Sequence, residues 1–289
     1  MEKMEIYQKG IIAGGTGLLY QAADMLKKSG RAEKIELYFC NQNGFGKGET
    51  EFPCHQVSEK SELMDMLKQE TEKTLVLSVM NPWLFPEEVL ENPCLLVVNL
   101  HHALLPAHRG RNAEAWAIYE GDEKAGITWH KVDAGIDTGA VYLQKEVEID
   151  SRMTSLKLLS KLNEAALEGL EELLQGDFKE HKADDSQGTG TGKPHLAKDI
   201  PNDGWLDLSW NPEQISRFLR AMDYGVINVF GKPRVRLPEG VHVWKAWKIS
   251  EEEGPEETRY DETKRELCIR KDGKLITLKK MKKMEENNK

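Results

Sequence analysis

The sequence is poor in cysteine, and its cysteines do not show metal-binding spacing. Four occur among 289 residues, and no two of them form a C-x-x-C pair. A structural zinc site needs closely spaced ligand pairs, and a disulfide framework is typical of short, cysteine-rich secreted domains. We exclude both kinds of protein. We expect small, buried, apolar side chains at all four positions, Cys40, Cys54, Cys94 and Cys268.

Long apolar runs are also missing. The run from Cys94 to Val98 ends at the polar Asn99, far short of the ~18 apolar residues that a membrane-spanning helix needs. The start of the chain, Met1 to Glu5, does not resemble a signal peptide. We therefore expect a cytoplasmic protein that has no contact with membranes. Ordinary numbers of glycine (24) and proline (11) exclude a collagen-like or low-complexity chain.

Positive charge is in short supply over most of the chain. The sequence has 40 Lys and Arg against 49 Asp and Glu, a net charge of −9 at pH 7. Residues 261–289 reverse this balance with ten basic and six acidic residues, so the remaining residues carry −13. We interpret Lys279, Lys280, Lys282 and Lys283 as a solvated tail, with a nucleic-acid contact as the alternative.

The first two-thirds of the chain alternates short apolar runs with helical patterns. Such alternation is typical of a parallel sheet whose strands are buried on both faces, so we predict an α/β fold. The predicted strands are 9–13, 35–40, 75–79, 95–99, 126–132 and 140–147. The predicted helices are 18–28, 58–73 and one that runs from Thr154 or Ser155 to a stop at Gly176.

The last third differs in composition. Residues 177–203 are polar and rich in Gly, Lys and Asp, including Gly188-Thr189-Gly190-Thr191-Gly192, which is linker composition. Asn211-Pro212 then starts a helix, and short extended runs follow at 235–237, 241–249, 267–270 and 275–278, with a hairpin signal between the last two. We predict a first domain at 1–176, a linker at 177–203, and a helix plus a small β-rich, OB-like subdomain at 204–289.

A glycine-rich turn, Gly14-Gly15-Thr16-Gly17, joins the first predicted strand to the first helix. It lacks the third glycine of a dinucleotide fingerprint, and no acidic residue ends the second strand, which finishes at Phe39-Cys40. We interpret it as a tight turn without a ligand, and a nicotinamide site is the alternative.

Two polar motifs follow predicted strands. Asn99 and His101 lie where the fourth predicted strand ends, and the turn-rich segment 133–139, which contains Asp137, follows the fifth. Open α/β sheets bind ligands at this edge, and residues two apart in a strand face the same side. An amide donor, an imidazole and a carboxylate can stabilise an oxyanion and move protons between nitrogen atoms. The motifs thus predict acyl transfer without a covalent nucleophile, with ordinary turns and local backbone contacts as the alternative.

Further motifs occur in a fixed order around these residues. They are Asn99-x-His101, Leu104-Leu105-Pro106, Arg109-Gly110, Trp116-Ala117-Ile118, Gly121, Gly126-Ile127-Thr128, Asp133-x-Gly135-x-Asp137-Thr138-Gly139 and Gln144. Together they resemble the 10-formyltetrahydrofolate-dependent formyltransferases, which include enzymes for methionyl-tRNA, glycinamide ribonucleotide, sugars and amines of peptide biosynthesis. The resemblance covers about residues 9–175 and continues weakly from Gly204 to Ala221.

The resemblance implies a Rossmann-like catalytic domain and a role for each motif residue. Asn99 would hold the formyl oxygen, His101 would assist the charge and proton changes, and Asp137 would hold His101 and relay protons through water. No metal is implied. The pterin of the folate co-substrate is expected to lie against two loops, with simple loop packing as the alternative, and the expected contacts are Trp83, Leu84, Phe85, Val132, Asp133, Gly135 and Ile136.

The sequence departs from the family pattern at four places. Ala103 stands where many relatives have Ser, and His102 adds an imidazole that we expect to face away from His101 as a partly exposed structural residue. Trp129-His130 looks more like the variants tied to peptide or small-amine formylation. Tyr224-Gly225-Val226-Ile227-Asn228 replaces a Pro-Trp-Pro-Gly-type sequence of the tRNA enzyme. The last two departures weaken the tRNA interpretation.

We therefore predict an N-formyltransferase that moves the formyl group of 10-formyltetrahydrofolate to a primary amine through a tetrahedral intermediate. The expected acceptor is a small molecule, an amino sugar or an amino-acid-derived amine, because the acidic bulk of the chain disfavours a polyanion. Methionyl-tRNA is the alternative acceptor, bound by the basic end with Arg109 and Arg111. A folate- or nucleotide-binding Rossmann-like module without chemistry is the second alternative. The sequence leaves the oligomeric state open.

Overall fold

The computed structural model describes residues 5–15, 17–40, 50–181 and 192–285. The chain divides into two compact units. The first comprises Met1–Ala113, Lys124–Glu148 and Leu159–His195, and the second comprises Glu114–Glu123, Ile149–Leu158 and Leu196–Lys289. The predicted boundaries at 176 and 204 stay predictions, and most of the Gly-Thr repeat of the predicted linker lies outside the described residues.

A seven-stranded mixed sheet forms the centre of the first unit. Its strands are β1 (Tyr7–Gly14), β2 (Ala32–Phe39), β3 (Cys54–Gln56), β4 (Thr74–Val79), β5 (Leu95–His101), β6 (Lys124–Lys131) and β7 (Val141–Glu148). Their spatial order is β3-β2-β1-β4-β5-β6-β7, with parallel pairing from β3 to β5 and antiparallel pairing of β6 with both β5 and β7. The predicted α/β fold with a parallel-rich sheet is confirmed.

Helices occur between the strands of the first unit and also in the second unit. They are α1 (Leu18–Ser29), α2 (Lys60–Lys68), α3 (Glu87–Leu90), α4 (Ala113–Glu120), α5 (Ser155–Gln175) and α6 (Pro212–Ala221), with a short 3-10 helix at Pro201–Gly204. Helix α2 ends at Lys68, earlier than predicted. At its C-terminal end the Asn92 side-chain amide donates hydrogen bonds to the carbonyls of Leu67, at 3.1 Å, and Glu70, at 2.8 Å. No helix in the described part of the chain is both long and apolar enough to cross a bilayer.

Close packing explains the glycine at the end of β1. A Cβ atom on Gly14 would lie 1.7 Å from the carbonyl oxygen of Val79 on the neighbouring strand. All six residues of β4 are buried, as expected for a strand covered on both faces. The requirement for glycine at this position thus comes from strand packing, and it needs no bound phosphate.

The second unit contains two small, mainly antiparallel sheets. Their strands are β8 (Trp205–Leu206), β9 (Arg234–Leu237), β10 (Gly240–Val243), β11 (Ala246–Glu251), β12 (Glu257–Asp261), β13 (Glu266–Lys271), β14 (Lys274–Lys279) and β15 (Lys282–Lys283). One sheet has the order β15-β10-β9-β8 and the other β11-β14-β13-β12. Both pack around a shared apolar core with α6, whose N-terminus is closed by a capping box between Asn211 and Gln214.

Several local expectations for this unit need correction. The predicted strand 241–249 is two strands, β10 and β11, that belong to different sheets. The basic end of the chain is not a free tail through residue 283, because Lys279 ends β14, Met281 is buried and β15 pairs with β10. The hairpin signal is confirmed, since Asp272 and Gly273 both have positive φ, as a two-residue turn of the I′ kind requires.

The cysteines differ from one another in exposure. Cys40 is buried, Cys94 and Cys268 are half-buried, and Cys54 is exposed on the edge strand β3. All four are free thiols. The expectation of buried side chains is therefore wrong for Cys54, because a short edge strand leaves its side chains in solvent.

Candidate active site

Asn99 lies near the carboxyl end of β5, with polar neighbours on the strands at either side. Ser78 on β4 and His130 on β6 are both in register with it. The Ser78 hydroxyl donates to Asn99 Oδ1 at 2.7 Å, and Asn99 Nδ2 lies 3.2 Å from His130 Nε2. Because His130 Nδ1 lies 2.8 Å from the Lys131 carbonyl, which can only accept, the ring carries its proton on Nδ1 and accepts at Nε2. The Asn99 amide is thus oriented from both sides.

His101 and Asp137 meet at the carboxyl end of β5. His101 Nδ1 is 3.5 Å from Asp137 Oδ2, and His101 Nε2 donates to the carbonyl oxygen of His108 at 3.0 Å. The backbone amide of Gly110 donates to Asp137 Oδ2 at 2.8 Å. The other carboxylate oxygen, Oδ1, is 3.4 Å from His130 Nε2. Asp137 therefore has an imidazole beside each oxygen.

Burial and charge act in opposite directions on these groups. Burial lowers the pKa of His101, and the negative charge of Asp137 opposes this effect without cancelling it. Burial by itself would raise the pKa of Asp137, but the neighbouring His101 and the hydrogen bond from the Gly110 amide hold that pKa well below its ordinary value. Asp137 is therefore ionised at neutral pH.

The backbone of the 133–139 loop places the carboxylate. Asp133 Oδ1 accepts hydrogen bonds from the Gly135 amide at 3.1 Å and the Thr138 hydroxyl at 2.6 Å. Asp137 itself has φ 51°, in the left-handed region that aspartate and asparagine tolerate better than most residues. An Asx-type turn, the alternative interpretation of this segment, is present at Asp133, and the same loop presents Asp137 to the histidines.

The structure brings Asn99, His101 and Asp137 together and adds two residues that sequence reasoning missed as site members, Ser78 and His130. For His130 the sequence did contain a signal in the motif Thr128-Trp129-His130. Alternation along a strand puts two polar side chains of this motif, Thr128 and His130, on one face. Its distance from Asn99 depends on the antiparallel pairing of β6 with β5, which periodicity does not reveal.

His102 differs from the expectation of a partly exposed side chain. It is buried, and its Nε2 has no hydrogen-bond partner among the described residues. Burial lowers the pKa of His102 to about 3, with a further contribution from His101. His102 is thus a neutral residue of the protein interior. It takes no part in the contacts that join Asn99, His101 and Asp137.

The residues expected to contact a pterin differ in exposure. Phe85 is buried in an apolar cluster of the first unit, and Trp83 and Val132 pack against the same cluster. Leu84 is 60% exposed, and Asp133 and Gly135 are exposed, while Ile136 is half-buried. The loop therefore combines an anchored aromatic residue with an apolar side chain left in solvent.

Two polar features accompany this loop. Asn81 Nδ2 is buried without a hydrogen-bond partner among the described residues, although its Oδ1 accepts from the Trp83 amide at 3.2 Å. The Arg111 guanidinium donates to the Pro82 carbonyl at 2.5 Å. An unused amide donor next to apolar side chains fits a flat heterocycle that carries hydrogen-bond acceptors.

The fold is that of the Rossmann-like transferases, and it brings an amide, an imidazole and a carboxylate together at the carboxyl edge of the sheet. A family model described as "Formyl transferase" matches residues 21–174, more than half of the chain. The chain belongs to the formyl transferase family.

Relatives with known names differ in their acceptors. A GDP-perosamine N-formyltransferase of Brucella melitensis biotype 1 is 34% identical over 140 residues, which is 47% of this chain and 53% of that protein. A methionyl-tRNA formyltransferase of Desulfotalea psychrophila is 33% identical over 144 residues, 48% of this chain and 43% of that protein. The chain thus spans about half the length of the curated relatives it matches.

Solved structures share the fold over nearly the whole chain. An N-formyltransferase of Helicobacter canadensis, solved with folinic acid and dTDP-3-aminofucose, has a TM-score of 0.69 over 95% of this chain and 99% of that chain. The sequence identity is 15%, so the likeness establishes the fold. It includes the C-terminal part of the chain, beyond the matched family model.

Proposed function

We propose that this protein transfers the formyl group of 10-formyltetrahydrofolate to a primary amine of a small molecule, an amino sugar or an amino-acid-derived amine. The observation that carries the proposal is the convergence of the Asn99 amide, the His101 imidazole and the ionised Asp137 carboxylate at one edge of the sheet. The curated GDP-perosamine enzyme and the sugar enzyme of known structure support an amino sugar as acceptor.

Asn99 would act on the oxygen of the group being transferred. Ser78 and His130 hold its amide, so one N–H is used by His130 and the other remains to donate to an oxyanion. A donor fixed before reaction stabilises developing negative charge without the cost of reorganisation, an effect of ~10²–10³ in rate for a single donor. This preorganisation is the part of the site that the sequence alone did not predict.

Asp137 would accept the proton that the attacking amine must lose, directly or through water, and return it to the folate nitrogen when the bond between that nitrogen and the formyl carbon breaks. The carboxylate is held ready by the Gly110 amide, and His101 and His130 flank its two oxygens. His101 would stabilise the charges that form during proton movement, because its Nδ1 lies beside Asp137 Oδ2. Its Nε2 proton is donated to the His108 carbonyl, which fixes the orientation of the ring. When bound, the folate supplies the activated formyl group.

The pterin would be held at the loop of Asn81 to Phe85, opposite Val132 to Ile136. The unused Asn81 amide, the exposed Leu84 and the anchored Trp83 fit such a ligand. We also retain two expectations from the sequence as proposals, a cytoplasmic location and a reaction without a metal.

An acceptor screen by mass spectrometry tests the proposed function. The full chain is incubated with 10-formyltetrahydrofolate carrying a ¹³C-formyl group and a panel of nucleotide-linked amino sugars and amino-acid amines. We expect one acceptor class to gain a labelled formyl group with the wild type and to gain almost none with Asp137→Asn. Folate binding without formylation of any amine, methionyl-tRNA included, would contradict the proposal and support a binding module.

Methionyl-tRNA remains the second candidate because of one surface of the second unit. The guanidinium groups of Arg234 and Arg236 lie 4.4 and 5.2 Å from the ring centre of Trp205 on the sheet of β8 and β9. Basic side chains interleaved with an aromatic ring suit nucleic acid. A salt-sensitive formylation of methionyl-tRNA that is lost in Arg236→Ser would favour this candidate.

A further inference from the structure

We propose that His195 is a positioning residue for the active site, and that it acts through the peptide group between Arg109 and Gly110 on Asp137. His195 ends a short segment, Gly192–His195, that belongs to the first unit. In the sequence, no motif or spacing distinguishes His195, and residues 177–203 around it have linker composition. The inference rests on the proposed function for its meaning, but the contacts that carry it are independent of any substrate.

The segment Gly192–His195 pairs with the loop that reaches Asp137. His195 forms a parallel bridge with Gly110, in which the His195 amide donates to the Arg109 carbonyl at 2.8 Å and the Arg111 amide donates to the His195 carbonyl at 2.9 Å. The Arg109 guanidinium also donates to the Gly192 carbonyl at 2.8 Å. These bonds fix both peptide groups that flank the Cα of Gly110.

One of those peptide groups connects His195 directly to the carboxylate. The carbonyl of Arg109 and the amide of Gly110 belong to the same planar, trans unit, so their C=O and N–H bonds point in opposite directions. His195 holds the carbonyl end at 2.8 Å, and Asp137 Oδ2 accepts from the N–H end, also at 2.8 Å. Fixing one end of a rigid plane fixes the direction of the other, and bonds in such a chain polarise one another.

Gly110 is suited to this arrangement and few other residues would be. Its φ is 96°, which side chains rarely allow, and a Cβ atom would lie 2.1 Å from the His195 carbonyl oxygen. The Arg109-Gly110 motif therefore has a structural reason beyond the resemblance that singled it out. The glycine lets the segment of His195 approach closely enough to hold the amide against Asp137.

The loop also serves His101. The His108 carbonyl accepts from His101 Nε2, and the His108 and His195 rings stack at 5.7 Å between centres, with His108 Nδ1 3.5 Å from His195 Nε2. The segment Gly192–His195 thus supports the backbone that contacts both members of the His101 and Asp137 pair. We assign the larger effect to the His195 backbone, because its bond lies in line with Asp137.

The test removes the His195 N–H and observes the Gly110 amide directly. In the full chain, His195→Pro cannot donate to the Arg109 carbonyl, whereas His195→Ala keeps the donor and loses only the ring. We expect the hydrogen exchange of the Gly110 amide, followed by NMR, to become ~10-fold faster or more in His195→Pro and to change little in His195→Ala. Lys193→Ala, an exposed neighbour in the same segment, is the control.

Turnover gives the second measurement once the acceptor is known. His195→Pro should lower kcat ~10-fold. The KM for the folate should change less than about twofold, because the loop of Asn81 to Phe85, where the pterin is proposed to bind, is not altered. In an Asp137→Asn background the same substitution should have no further effect on kcat, since the two changes act through one contact.

The outcomes separate this inference from the proposed function. Unchanged Gly110 exchange in His195→Pro, with the fold intact by thermal unfolding, would overturn it, and so would equal losses in His195→Ala and His195→Pro. Faster Gly110 exchange together with a failure to formylate any amine would leave the positioning contact established and reject the proposed reaction instead.

Discussion

Asp137 illustrates how neighbouring groups decide the state of a single side chain. A half-buried carboxylate without partners would be more easily protonated, but the neighbouring His101 imidazole and the Gly110 amide reverse that tendency. The backbone adds a second condition, since φ at this position is positive. Asparagine tolerates the same backbone region, so Asp137→Asn removes the charge with little added strain.

We predict that Asp137→Asn and His101→Ala each lower turnover by ~100-fold or more, because general acid-base and electrostatic contributions are of that size. Folate affinity should change little, since neither residue is among the proposed pterin contacts. Steady-state kinetics and folate titration measure the two effects. Lys131→Ala, at an exposed lysine at the end of β6, is the control, and near wild-type turnover in His101→Ala would refute the assignment.

His130 should act by orienting Asn99. We predict that His130→Phe lowers kcat ~10-fold with little change in KM, because the ring no longer accepts from the Asn99 amide. His130→Gln retains an acceptor on its side chain and should recover part of the loss. The comparison of kcat and KM for both variants checks this prediction, and equal damage from the two would show that the amide contact is not the cause.

The buried, neutral His102 predicts a pH dependence of stability. Its pKa is about 3 in the folded chain against 6.5 ordinarily, so between these values the unfolded chain binds the extra proton. Stability is therefore lost as pH falls through this window, by about 2 kcal/mol between pH 7 and pH 5 for one such histidine. In His102→Gln, the loss of stability between pH 7 and pH 5 should be smaller by this amount than in the wild type, as measured by urea unfolding at both pH values. His55→Gln, at an exposed histidine, is the control. Identical pH slopes in wild type and His102→Gln would show that His102 is not held neutral.

At the scale of elements, the loop after β4 should report on folate. We predict that folate binding changes the fluorescence of Trp83 and that Trp83→Phe removes most of this signal. Leu84, exposed in the structure, should become covered, so Leu84→Asn should weaken folate binding ~10-fold, about the value of one buried aliphatic side chain. Val226→Asn, on an exposed apolar side chain of the second unit, is the control. A Trp83 signal that saturating folate leaves unchanged would place the pterin elsewhere.

Elements with strong local signals were predictable, and those that depend on distant pairing were not. The buried runs of β1, β4 and β5 and the Asp272-Gly273 turn are encoded locally, so periodicity and turn chemistry found them. The short strands β3, β8 and β15 have two or three residues each, too few for a period to be seen. They form because a neighbouring strand offers free backbone groups.

The site divides in the same way. Asn99, His101 and Asp137 were found because each follows a strand in a recognisable motif. Ser78 and the contact between His130 and Asn99 depend on strand register, and the bridge of His195 to Gly110 joins positions 85 residues apart. Contacts of this kind belong to the tertiary structure, and composition alone predicted only a linker there.

For the whole molecule, salt separates the two candidate acceptors. We predict that activity on the true acceptor changes less than about threefold between 50 and 200 mM salt, whereas binding through six or more phosphates would weaken ~10³-fold. Because residues 279–283 are part of the second unit, deleting them would damage its core, and single charge changes are the better probe. Arg236→Ser and Lys282→Gln should leave activity almost unchanged, and a steep loss with either would point to tRNA.

All of the side chains assigned to the reaction lie between Ser78 and Asp137, in the first unit. Their chemistry can therefore be inherited as one piece while the rest of the chain diverges. We expect selection to preserve this stretch most strictly among relatives with different acceptors, and to alter the region after His195 more freely. New acceptors would then arise when the segments outside this stretch are replaced while the reaction side chains stay the same. Gene fusion and recombination can bring about such replacements.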